Sequence, residues 1–352
     1  MKSITTLIFI ILSFSINGQT ISTEYAYYCV PCNSGCDDEK FEEAGTCTHC
    51  GMALEKMTAK EREMQMNNKL TIAFYLQQGV EVLDFAGPME VFAYAGFNVF
   101  TVSKTIEPIT SQGILKIIPD YSIENAPRAD ILAFFGGNSG AASGDEQVIN
   151  WVKSQEDIQY HFSVCTGAFV LGASGLLDGK TVTTFHNSID DLRENYKDAK
   201  VLDDVRFVDN GKVITTAGIS AGIDGALHLV AKLNSLAEAR WIAYYMEYDK
   251  WQPGEGLILS DDNPYPTEIT SVNTFKAYEG TYEMDDDLQA QVKYNSDSHS
   301  LIAFVDGKKF PLFQNSENEF LTVGREILTF KWENDAVIGY LSEEAKLYKK
   351  LK

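Results

Sequence analysis

The chain has 352 residues, 45% of them hydrophobic and 22% charged, which is enough apolar material for more than one core and a length that fits two to three domains. Its formal net charge of −21 excludes nucleic acids and anionic membrane surfaces as electrostatic partners, because one polyanion releases no counterions by approaching another.

The N-terminus reads MKSITTLIFIILSFSINGQT. A lysine, an apolar run from Leu7 to Phe14 too short to span a bilayer, and then small and polar residues form a secretory signal peptide pattern over residues 1–20. The pattern predicts a secreted or periplasmic protein. No cysteine lies near the expected cleavage point, so no lipid anchor is expected.

Cysteine usage is lopsided. Five of the six fall between Cys29 and Cys50, and the sixth is Cys165. Two C-x-x-C pairs, Cys29/Cys32 and Cys47/Cys50, are separated by fourteen residues, close to the spacing of a two-knuckle thiolate site. A two-residue gap lets both sulfurs of a tight turn face one ion, and Gly51 supplies the turn after the second pair. Cys36, Asp37 and His49 are spare donors. An oxidising location favours the alternative, a disulfide-stapled knot, although five cysteines cannot all pair internally. The segment 25–55 is too short and too polar to form a core without an ion or a staple. Its CTHCGMAL run, with Cys29, resembles a small heavy-metal-binding domain carrying YxCPMHP…GxCPxCGMxL, with Cys32 where that family has histidine. The resemblance implies zinc, copper or another soft metal.

From about 55 to 67 the charged, Met-rich EKMTAKEREMQMN predicts a short helix or linker. From 68 to about 250 the apolar stretches KLTIAFYL, FNVFTVS, ADILAFFGG and IQYHFSV alternate with helical ones such as Gly144–Glu156, and a long helix is expected over Ser220–Tyr248. Buried strands alternating with helices predict a parallel sheet covered on both faces, whose ligands bind beyond the carboxyl ends of the strands.

Cys165 sits at such an end, in SVCTGAFVLGASGLL. A nucleophile there is exposed only if the chain reverses sharply into the next helix, which pushes its backbone toward positive φ and requires small neighbours. Thr166, Gly167 and Ala168 meet that demand. The helix N-terminus is expected to favour the thiolate; the alternative is a buried structural cysteine.

The sequence offers several partners for Cys165. Asp84, in LDFAGPMEVF after the first strand, can reach it from a neighbouring loop, where a protonated carboxyl would hydrogen-bond a thiolate and lower its pKa; the competing role for Asp84 is a helix N-cap. Glu90 lies on the same segment. Gly136 and Gly137 in FFGGNSG offer backbone amides to a developing oxyanion. His186 follows the strand TVTTF and can line the same pocket. His161 and His228 read as core residues.

From 265 to 352, short alternating strands joined by hairpin turns at Asp306-Gly307 and Asn334-Asp335 predict a small antiparallel barrel or sandwich. Its Tyr278-x-Gly280-x-Tyr282 opening loosely resembles a β-rich module appended to some exported serine-hydrolase-like proteins.

The ordered blocks LDFAGPMEVF, FFGGNSGA, SVCTGAFVLGASGLLDGKTVTTFH and GKVITTAGISAGIDGALHLV resemble the ThiJ/PfpI family of the class I glutamine amidotransferase-like superfamily, and within it the isonitrile hydratases and the ligand domains of certain AraC-type regulators. The resemblance implies a flavodoxin-like α/β sandwich over 68–250, Cys165 at a nucleophile elbow, Asp84 as acid/base carboxyl, Thr166 as a hydrogen-bonding or catalytic neighbour, and a homodimer. No histidine follows Cys165, which argues against peptidase chemistry, and FFGG stands where PGG is usual. The expected function is cysteine-dependent hydration or hydrolysis of a small electrophile, with no cofactor for this domain. The alternatives are a non-enzymatic small-molecule or redox sensor, or a metal-handling protein built around the N-terminal cysteines.

Overall fold

The computed structural model describes residues 25–29, 36, 39–49, 51, 54–59, 61–62, 69–155, 157–248, 251–265, 271–284, 288–296, 298, 300–342 and 345–351. The expected signal peptide, Cys32, Asp37 and Cys50 lie outside the described residues. No helix among the described residues is long and apolar enough to cross a membrane.

A three-stranded sheet comes first. Its central strand β1 (Tyr25–Cys29) pairs antiparallel with β2 (Lys40–Phe41) and β3 (Leu54–Thr58). The helix or linker expected from about 55 thus begins as a strand. Leu54 pairs with Cys29 and Met57 with Ala26, so packing against β1 overrides the helical propensity of this charged stretch.

The second unit is a flavodoxin-like three-layer sandwich. Four parallel strands form its middle: β4 (Thr71–Tyr75), β5 (Asn98–Ser103), β6 (Ile131–Phe134) and β7 (Tyr160–Val164). They adjoin in the order β5-β4-β6-β7. Beyond β7 lies β8 (Phe207–Asp209), which pairs antiparallel with β9 (Val213–Thr216), itself parallel to β7. Side chains alternate across this sheet as strand geometry requires. Ile72, Phe74, Ala133, Phe162 and Val164 enter one core, and Ala73, Tyr75, Leu132 and Phe134 enter the other. Because both faces are covered, the strands are apolar throughout.

On the first face pack α1 (Val82–Tyr94) and α2 (Ala221–Leu233), with α3 (Leu236–Tyr245) behind them. The long helix expected over Ser220–Tyr248 is two. Ser235 accepts a hydrogen bond from the Glu238 amide at 3.1 Å and caps a fresh start, and S-x-x-E at 235–238 is the sequence signature of that restart.

The third unit is a meander of eight antiparallel strands, each paired with the next from Gly280–Glu283 to Leu347–Lys349. The Leu351 amide donates to the Thr281 carbonyl at 2.7 Å, bringing the last strand back to the first. The result is a near-closed barrel around Tyr278, Tyr282, Phe320 and Phe330. Asp306-Gly307 and Asn334-Asp335 all have positive φ, as two-residue hairpins need.

The barrel docks on α3. Trp241 Nε1 donates to the Val323 carbonyl at 3.0 Å. Arg325 pairs with Glu238 at 2.6 Å and lies 4.7 Å from the Trp241 ring.

Candidate functional site

The sheet presents four adjacent strand ends on one side, and each sends a loop to the same point. Val164 is extended, Cys165 has φ of 60°, and Cys165–Gly167 form a 3-10 turn leading into the six-residue helix Ala168–Ala173. A left-handed backbone on a non-glycine residue stores strain that its surroundings must hold. They do so from both ends of the residue: the Cys165 amide donates to the Ala217 carbonyl at 3.0 Å, and Thr184 Oγ1 donates to the Cys165 carbonyl at 2.7 Å. A Cβ on Gly167 would lie 2.4 Å from the Phe134 carbonyl oxygen, so only glycine allows the turn to lie this close to β6.

Asp84 sits in the first turn of α1, fully buried. The N-cap of α1 is Glu81, and Asp84 makes a different contact: its Oδ2 accepts from the Gly136 amide at 2.8 Å. Oδ1 is buried with no hydrogen-bond partner among the described residues. A Cβ built on Gly136 would lie 2.7 Å from Asp84 Oδ2 and 2.7 Å from Cys165 Sγ. The carboxylate and the sulfur therefore close on the same backbone position, where no methyl group fits.

Burial decides the protonation of the pair. It pushes the Cys165 thiol up to about 12, reinforced by the charge of Asp84 and opposed by the Thr166 amide. It also pushes Asp84 up to about 6, against the pull of the Gly136 amide, the Cys165 thiol and the Ile219 amide. At neutral pH the sulfur keeps its proton and the carboxylate is ionised. This corrects the expectation of a helix-stabilised thiolate held by a protonated carboxyl. The helix after Cys165 is too short to develop much dipole, and desolvation outweighs what the turn amides contribute.

The other candidates fall at different distances from the pair. Thr166 is half-buried, with Oγ1 3.5 Å from the Gly137 carbonyl. Of the two proposed oxyanion donors, Gly136 spends its amide on Asp84, whereas the Gly137 amide has no protein partner among the described residues. His186 is exposed and rests on the Phe185 ring, with ring centres 4.3 Å apart; no described contact joins it to Cys165. Glu90 is exposed. His161 is buried, which pulls its pKa down to about 4. His228 is fully buried and bonds Asp209 at 2.9 Å and the Tyr265 hydroxyl at 3.0 Å. Two residues escaped the sequence reading. One is Thr184, which sits in TVTTF two positions before His186. The other is the buried Gln77, whose Nε2 donates to the carbonyls of Phe135 at 2.9 Å and Gly136 at 3.0 Å, fixing the loop that orients Asp84. A polar side chain directly after an apolar strand was the available signal for Gln77.

At the other end of the chain, Cys29, Cys36 and Cys47 are all buried, with their sulfurs within 4.8 Å of one another, close enough to bind a metal. His49 pairs instead with Glu39 at 3.2 Å.

Residues 70–232 match the DJ-1/PfpI family. Isonitrile hydratase from Pseudomonas putida is 38% identical over 182 residues, covering 51% of this chain and 78% of the hydratase. The chain belongs to the DJ-1/PfpI family. Also similar is the HTH-type transcriptional regulator CdhR of Pseudomonas aeruginosa, 25% identical over 166 residues, covering 45% of this chain and 49% of the regulator. A ThiJ/PfpI family protein of Pseudomonas syringae, known from its crystal structure, is 31% identical with a TM-score of 0.49, covering 53% of this chain and 78% of that one. The residues that build the site, from Gln77 to Ile219, fall within the DJ-1/PfpI match.

Proposed function

We propose that this chain is an exported, cysteine-dependent enzyme that hydrates a small electrophilic carbon of the isonitrile type. The observation that carries this reading is the convergence of Asp84 Oδ2 and Cys165 Sγ on Gly136, where any side chain would clash with both. The similarity to isonitrile hydratase supports the substrate class.

A neutral thiol beside an ionised carboxylate suits addition to an isonitrile carbon. Asp84 accepts the Cys165 proton as sulfur bonds the carbon, and returns it to that same carbon, giving a thioimidate R–N=CH–S–Cys165. Asp84 then takes a proton from water as the water oxygen adds to the carbon. Asp84 passes that proton to nitrogen, giving R–NH–CH(OH)–S–Cys165; the C–S bond then breaks as the hydroxyl proton passes to sulfur, restoring the thiol, and R–NH–CHO departs. In this reading the Gly137 and Thr166 amides bear charge during these steps.

Export rests on the tripartite pattern of residues 1–20, and we read the working form as a homodimer acting on a small molecule, with no nucleic acid or membrane partner. The N-terminal cysteines we read as a soft-metal site. The test of the catalytic reading is turnover: wild-type protein should convert aryl and alkyl isonitriles to N-substituted formamides, and Cys165→Ala should lose conversion while keeping its fold. Equal turnover by Cys165→Ala, or none by the wild type across the panel, contradicts it.

A further inference from the structure

The C-x-x-C spacing pairs Cys29 with Cys32 and Cys47 with Cys50; among the described residues the fold brings Cys29, Cys36 and Cys47 together. Cys29 ends β1, Cys36 follows it by seven residues, and Cys47 opens the last turn before Gly51. The Cys36 and Cys29 sulfurs are 3.7 Å apart, too far for a covalent bond and close enough to share an ion. Cys36 and Cys47 each begin a tight backbone turn. The Glu39 amide returns to the Cys36 carbonyl at 3.2 Å, and the Gly51 amide returns to the Cys47 carbonyl at 2.8 Å, with Gly51 at φ of 75°. Two turns and a strand end thus aim three sulfurs at one point from three separate stretches of chain.

The described donors are all sulfur. No imidazole or carboxylate among the described residues joins them, since His49 is turned to Glu39. The three cysteines are at most 2% exposed. An all-sulfur, water-poor site selects thiophilic ions and rejects hard ones such as magnesium or calcium. Each thiol gives up its proton to solvent as its metal–sulfur bond forms, so binding is coupled to proton release.

We propose that Cys29, Cys36 and Cys47 ligate one thiophilic d10 ion, zinc(II) or copper(I), and that Cys36 is an obligatory ligand although it belongs to neither C-x-x-C pair. This rests on the reading of the N-terminal module as a soft-metal site and assigns its ligands. Whatever the full number of thiolates, a divalent ion leaves one fewer negative charge to bury than a monovalent one. Zinc(II) is therefore the ion expected in the full-length protein.

The test uses the complete chain, reduced and kept free of oxygen. One sample is titrated with zinc(II) against a chromophoric chelator and another with copper(I) against a copper(I)-specific chelator. Each loaded protein is then pulsed with an alkylating reagent, and modified cysteines are identified by peptide mass spectrometry. The expected result is one equivalent of zinc per chain and slowing of alkylation at Cys29, Cys36 and Cys47 by at least ~10-fold relative to the metal-free protein, because a metal-bound thiolate is withheld from the reagent. X-ray absorption at the zinc edge should find at least three sulfur neighbours near ~2.3 Å. Tighter copper(I) than zinc(II) competition, with the same protection, would change the ion and keep the ligands. Zinc bound with Cys36 alkylated as fast as in the metal-free protein overturns the ligand assignment. Binding of neither ion overturns the reading of the module itself. Because protection is read on the wild-type chain, the result does not depend on whether Cys36→Ala folds.

Discussion

The Gly136 amide donates to Asp84 Oδ2 at 2.8 Å, and the same glycine lacks the one carbon that would separate Asp84 from Cys165. A backbone group and a missing side chain together set the distance between acid and thiol. Gly136→Ala places a methyl in contact with both groups at 2.7 Å. The expected outcome is a loss of turnover by at least ~100-fold, because the reacting groups are forced out of alignment. The accompanying loss of stability should be only about 1–3 kcal/mol, as for other overpacked sites, and is measurable by urea denaturation.

Cys165 is buried at the turn in a strained left-handed backbone, at φ of 60°. Replacing it by glycine should relieve that strain, whereas alanine should not. Cys165→Gly is therefore expected to be more stable than Cys165→Ala by about 1 kcal/mol, the cost of a left-handed conformation for a residue with a Cβ. Both variants should be inactive. Thermal melts of the two proteins side by side decide the point.

Asp84 links activity and stability to pH with opposite signs. Its folded value, about 6, lies above the ordinary 3.8, so between these values the folded state binds a proton that the unfolded state does not. The group's contribution to stability is present below about pH 4, falls as pH rises through 4–6 and is lost above. Asp84→Asn removes the charge. It is expected to match the wild type near pH 4 and exceed it by roughly 3 kcal/mol at pH 7.5. Turnover of the wild type should rise as pH passes about 6, where the carboxylate forms, and the variant should be inactive throughout. Stability curves and rate profiles across pH 4–8 check both signs.

His186 stands two residues beyond Thr184, the residue that binds the Cys165 carbonyl, yet it faces solvent. His186→Ala should change turnover far less than the ~100-fold minimum associated with a general acid or base. Thr184→Val should lower both turnover and stability by removing the bond that holds the strained turn, at a cost of about 1 kcal/mol.

Arg325 fastens the barrel to the α/β unit through Glu238, with both side chains largely buried. Arg325→Ala leaves the Glu238 carboxylate without its cation and should cost roughly 3 kcal/mol. The double variant Arg325→Ala/Glu238→Gln should recover much of that loss in urea denaturation.

Much of this architecture is legible in the residues. KLTIAFYL, ADILAFFGG and IQYHFSV form neighbouring parallel strands because their unbroken apolar character suits a sheet buried on both faces. The small residues after Cys165 announce the sharp turn, and the loop that follows the first strand brings Asp84 to the sulfur as the parallel order requires. What was not legible depended on contacts distant in sequence. The break at Ser235 was signalled by a capping box but masked by the apolar continuity of residues 220–248. The strand at Leu54–Thr58 exists because β1 lies beside it. The charge state of Cys165 depends on burial by elements from four strands, which a local helix argument does not see. Cys36 was a spare donor by spacing and becomes one of the buried trio through the folding of its loop.

The most direct test of the catalytic account is to quench turnover of an aryl isonitrile and weigh the peptide carrying Cys165. The account predicts a mass increase equal to one whole isonitrile on Cys165 in the wild type, and an unmodified peptide in Asp84→Asn, with formamide produced only by the former. Formamide accumulating while Cys165 stays unmodified and Cys165→Ala remains active would contradict it.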